Sequence, residues 1–127
     1  MNEPSSIAAA ANAVWNEAFN SRDVGRLVSL YAENATLSPG NGQALVGREA
    51  IAGLFQSFID AGVHKHTLET LETGGNESTI FQVARWSAKG ASANGLTSAF
   101  GGITMNVLEK NADGNWITRA HVWNASQ

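Results

Sequence analysis

Apolar residues fall into two different rhythms along the chain, helical in the first half and strand-like in the second. From Pro4 onward they recur at Ile7, Ala11, Val14, Trp15, Ala18 and Phe19. This three-and-four spacing lays one stripe along an α-helix. Ser5 or Ser6 is the expected N-cap, and Asn12, Asn16 and Asn20 fall on another side. Asn20-Ser21-Arg22 interrupts the pattern, and Asp23 is placed to cap a second helix. Val24, Leu27, Val28, Leu30 and Tyr31 supply the apolar face of that helix, which the pattern closes at Asn34. Ala35 to Ser38 reads as a short strand, and Pro39-Gly40-Asn41-Gly42 is turn chemistry. Val46-Gly47-Arg48-Glu49 opens a third helix carrying Ile51, Leu54, Phe55, Phe58 and Ile59, which ends near Gly62.

Beyond Val63 the segments are rich in β-branched and aromatic residues: Thr67 to Thr73, Thr79 to Ala88, Ala99 to Lys110 and Trp116 to Asn124. Gly74-Gly75-Asn76, Gly90 to Gly95 and the hairpin signal Asn111-Ala112-Asp113-Gly114 divide them. Lys89 to Ser98 reads as an exposed, flexible hairpin loop. Helices followed by closely spaced strands predict an α+β fold with an antiparallel sheet. No repeat or linker breaks the 127 residues, so one domain over 1–127 is expected.

Composition narrows the partners. With 43% apolar and 15% charged residues the chain is globular, and its net charge of −3 offers no stripe of basic residues for a phosphate backbone. Nucleic acid is therefore not an expected partner. The absence of cysteine removes disulfides, thiolate nucleophiles and Cys-ligated metal. The N-terminal residues lack the basic and apolar regions of a signal peptide, and no run is long enough to span a membrane. No membrane partner and a cytoplasmic setting are the resulting expectations.

Four pieces in order carry a resemblance: AFNSRD between the first helices, LYAENATL after the second, GREAI opening the third, and GNWITRAHVWN near the end. Together they resemble the SnoaL-like, ketosteroid-isomerase-like branch of the nuclear transport factor 2-like superfamily. The resemblance implies three N-terminal helices packed in a strongly curved, mostly antiparallel sheet, a cone with an internal pocket. It also implies homodimers formed through the outer face of the sheet. Ketosteroid-isomerase-like members use an Asp base, with a Tyr and a protonated Asp as oxyanion donors. Matched by motif, the Tyr falls on Trp15, the base near Leu37-Ser38-Pro39, and the second Asp near Asn106. None of the three roles keeps its residue type, so that proton abstraction is disfavoured.

The last strand offers the next candidates. Strict alternation sets Ile117, Arg119, His121 and Trp123 on one face, an unusual set for a plain core and a suitable one for a pocket wall. His121 is the side chain able to exchange protons near neutral pH, and Arg119 suits an anionic group. Asn106 is suited to donating to a ligand oxygen. His64 and His66 invite a metal reading with His121, but their place at a helix–strand junction favours two solvated histidines, and no metal or cofactor is expected. Trp15, Phe19, Tyr31, Phe55, Phe58, Trp86 and Trp123 are positioned to line the cavity. The function that follows is a pocket for a small, largely apolar or aromatic molecule. Two alternatives stand beside it: an isomerase, cyclase or hydratase acting on a small hydrophobic substrate through His121, Arg119 and Asn106, and a dimeric protein-interaction module.

Overall fold

The computed structural model of the chain describes residues 3–93 and 96–125, with side chains described for 3–91 and 98–125. Three helices, α1 (Pro4–Asn20), α2 (Val24–Ser29) and α3 (Arg48–Asp60), precede or interleave with the first strands. The six strands are β1 (Tyr31–Ser38), β2 (Leu45–Val46), β3 (His64–Gly75), β4 (Thr79–Ala93), β5 (Leu96–Lys110) and β6 (Trp116–Trp123). They form one mixed sheet in the order β2-β1-β6-β5-β4-β3, antiparallel except for the parallel pair β1–β6. Register shifts in β3, β4 and β6 mark bulges, which bend and twist a sheet, and the cone they help shape encloses the helices. No helix among the described residues is long and apolar enough to cross a membrane.

The helical stripes bury as their spacing requires. Ala18 and Phe19 of α1, Leu27 of α2, and Ile51, Phe55 and Ile59 of α3 meet Tyr31, Ala32, Ala35 and Leu37 of β1 in one core. Full burial of a side chain such as Phe55 contributes roughly 1.5–3 kcal/mol. A second, smaller core joins Ile7 to Ile80 and Leu108, partly covered by Trp116.

Several boundaries differ from the sequence reading. The N-cap of α1 is Glu3 rather than Ser5 or Ser6, because Pro4 at the first helical position has a preset φ and no N–H to satisfy. Asp23 does cap α2, its Oδ1 accepting from Arg26 N at 3.0 Å. That helix nevertheless stops at Ser29, and Tyr31 to Asn34 are strand rather than helix. Pairing decides this: Tyr31 lies beside Thr118 of β6, and Thr118 N donates to Leu30 O at 2.8 Å. The guanidinium of Arg48 also reaches back from α3 to Tyr31 O at 2.8 Å. Lys89 to Ser98 is not a long loop, since β4 and β5 run on to Ala93 and Leu96. Within that expected loop, residues 94 and 95 lie outside the described residues.

Two glycines let the mouth of the cone close. A Cβ on Gly40, which sits at φ +84°, would meet Trp123 O, and a Cβ on Gly102 would collide with Asn124 O. Asn124 is fastened there by Asn124 N to Ile103 O at 3.0 Å, Ile103 N to Asn124 Oδ1 at 3.1 Å, and Trp86 Nε1 to Asn124 O at 2.9 Å.

Candidate functional site

The helices and the concave face of the sheet leave a cavity of about 400 Å³ between them. Its body is aromatic. Trp15 stacks on Phe19 (5.3 Å between centroids) and meets Phe55 edge-on (5.6 Å), and Phe55 lies parallel to Trp123 at 6.1 Å. His66 lies parallel to Trp86 at 6.0 Å and against Trp15 at 4.5 Å. Phe58 completes the wall on α3, and Pro39, Asn41 and Ala125 also line the space.

One buried hydrogen-bond chain crosses the wall. Trp15 Nε1 donates to Tyr31 Oη at 3.0 Å, Tyr31 Oη lies 2.8 Å from His121 Nδ1, and His121 Nε2 lies 2.8 Å from Thr104 Oγ1. Indole can only donate, so Tyr31 receives from Trp15 and gives its own proton to His121 Nδ1. His121 then carries its proton on Nε2 and donates it to Thr104, whose hydroxyl is 3.4 Å from Val122 O. Every member of the chain is satisfied in this arrangement, and Tyr31 itself is fully buried. Burial raises the Tyr31 hydroxyl pKa above its ordinary value. Burial, helped by the nearby His66, pushes His121 down to about 3. His121 is thus a neutral imidazole with both nitrogens engaged, which removes it from the acid–base role its residue type suggested.

His66 follows the same logic. Its Nδ1 donates to Asn16 Oδ1 at 2.6 Å, which leaves Nε2 as an acceptor, and burial lowers its pKa to about 4. It is not a solvated rim residue, because Lys65 adopts φ 53° at a register shift in β3 and Asn20 clamps the His66 backbone. The clamp is Asn20 Nδ2 to His66 O at 3.1 Å and His66 N to Asn20 Oδ1 at 2.9 Å. His64 instead has Nδ1 on Gly62 O at 2.8 Å. Among the described residues no group of three His, Cys, Asp or Glu side chains is arranged to hold a metal.

The sequence candidates separate accordingly. Trp15, Phe19, Phe55, Phe58, Trp86, Asn106, His121 and Trp123 line the cavity, while Tyr31 stands behind its wall. Arg119 does not line it: the guanidinium turns away to Asn34 O at 3.1 Å. The reason is a bulge. Val107 pairs with Ala120 but Leu108 pairs with Thr118, so Arg119 is the extra residue, and Thr118 and His121 face inward instead of Arg119. The sequence reading missed Thr104, the inward His66, and a buried amide pair. In that pair Asn12 Nδ2 donates to Gln82 Oε1 at 3.1 Å and Gln82 Nε2 donates to Asn12 Oδ1 at 2.7 Å. Asn12 had been visible as the start of an asparagine row, but nothing in the sequence tied it to Gln82. Asn106 differs from the other wall amides: its Oδ1 is buried and has no hydrogen-bond partner.

Comparison with known proteins agrees with this geometry at the level of fold. No curated protein matches the chain significantly. A ketosteroid isomerase-like protein from Erwinia carotovora atroseptica superposes with a TM-score of 0.83 at 22% identity, over 100% of this chain and 99% of that one. An NTF2-like protein with a cystatin-like fold from Novosphingobium aromaticivorans gives 0.80 at 15% identity, over 95% and 80%. A candidate calcium/calmodulin-dependent protein kinase II association domain from Xanthomonas campestris gives 0.77 at 22%, over 99% and 89%. The SnoaL-like domain model matches residues 13–120, and the chain belongs to the SnoaL-like family of the nuclear transport factor 2-like fold.

Proposed function

We propose that the chain is a binding domain for a small, largely apolar or aromatic molecule held in the aromatic cavity. The observation that carries this reading is the union of an aromatic space of about 400 Å³ with two histidines that burial keeps uncharged. Such a site favours neutral apolar contact over proton transfer. The enzyme alternative through His121 and Arg119 loses support, since the first has no free nitrogen and the second is not on the wall. Amide chemical-shift titration with naphthalene tests the reading. Saturable shifts confined to cavity residues are expected, and Leu54→Trp, which fills the space from α3, should abolish them. The absence of saturation up to the solubility of naphthalene would count against a binding role.

We also infer a homodimer through the outer face of the sheet. Met105 and Val122 are cross-strand neighbours on that face and remain 46% and 53% exposed, with Ile103 close by at 38%. Solvent contact at adjoining apolar side chains is what an interface would relieve.

A further inference from the structure

We propose that the cavity selects a neutral ligand carrying a hydrogen-bond donor, a hydroxyl or an N–H, and that Asn106 is the residue that recognises it. This rests on the binding role proposed above and adds the chemical class of the ligand. Charge is the first argument. No Lys, Arg, Asp or Glu lines the cavity, and the one cation of the neighbouring strand, Arg119, is turned to Asn34 O. A carboxylate entering would lose its hydration with no counter-charge to replace it.

Hydrogen-bond accounting is the second. Asn12 is closed into its pair with Gln82, Asn41 Oδ1 accepts from Gln43 N at 3.0 Å, and the Trp15 indole is spent on Tyr31. Thr104 and both nitrogens of His121 belong to the same buried chain. Asn106 stands between Gln82 of β4 and His121 of β6 in the sheet register, and its side chain makes no hydrogen bond among the described residues. Its carbonyl oxygen bears the desolvation of burial without a compensating bond, so a ligand donor gains more there than at a hydrated surface group. The terminal torsion of Asn is soft, so the amide can turn its oxygen to meet that donor. The other uncommitted polar atom of the cavity residues, His66 Nε2, also bears a lone pair. The two free groups accept, and the ligand must give.

Indole and benzofuran share one shape, with an oxygen replacing the N–H in benzofuran, and amide chemical-shift titration of each reads the difference. Wild-type protein should bind indole about tenfold more tightly than benzofuran. In Asn106→Leu, which keeps the shape without the polar atoms, the two should agree within about twofold. Equal affinities in the wild type, or a preference for indole that survives in the variant, would overturn the assignment to Asn106 while leaving cavity binding intact. An indole carboxylate bound as tightly as indole would overturn the requirement for neutrality. If naphthalene, indole and benzofuran all fail to bind, the binding role falls and this inference with it.

Discussion

His121 sits between two hydroxyls, and His66 between an amide and two tryptophan rings, so neither has room for the water that a charged imidazole needs. The consequence is a pH dependence of stability with a definite sign. Both residues protonate at 6.5 in the unfolded chain, but at about 4 (His66) and about 3 (His121) when folded. Between those limits the unfolded state holds more protons, so stability rises with pH. The full contribution is present above about 6.5 and is lost as pH falls toward the folded values. Each histidine should cost about 2 kcal/mol at about pH 5. Urea unfolding at about pH 7.5 and about pH 5 measures this, and an unchanged midpoint would mean that both rings are hydrated in the folded state.

At the scale of elements, the bulge in β6 decides which chemistry reaches the cavity. Arg119→Ala should leave naphthalene affinity unchanged within about twofold and lower stability by no more than about 1 kcal/mol, since it removes a half-exposed bond to one carbonyl. A large loss of affinity in the same titration would put the guanidinium at the ligand after all. The helical walls were legible in the sequence, because Trp15, Phe19, Phe55 and Phe58 repeat at the helical period and that period survives folding. The strand wall was only partly legible. Alternation groups Arg119 with His121, but β6 pairs with β1 on one side and β5 on the other, and satisfying both inserts one residue. The same parallel pairing drew Tyr31 out of its expected helix. Asn12 and Gln82 are 70 residues apart, and no local pattern announces such a pair.

At the scale of the molecule, the order of the sequence motifs along the chain sufficed for the fold, whereas assembly depends on a surface that the single chain leaves open. Light scattering of the wild type should give twice the 13.4 kDa mass of the chain, and Met105→Glu should give the monomer at micromolar concentration. A monomeric wild type would remove the sheet face as an interface. The cavity opens beside Pro39, Asn41 and Ala125, and most of its lining comes from side chains facing inward, so the dimer reading and the ligand reading stand or fall separately.

The chain of hydrogen bonds from Trp15 to Thr104 also has a direction. Its first member cannot receive a proton, so the links behind it cannot run backwards. An indole near the start of the protein, which never titrates, thereby dictates which nitrogen of an imidazole near its end is protonated, and acts as a one-way valve in an otherwise reversible relay.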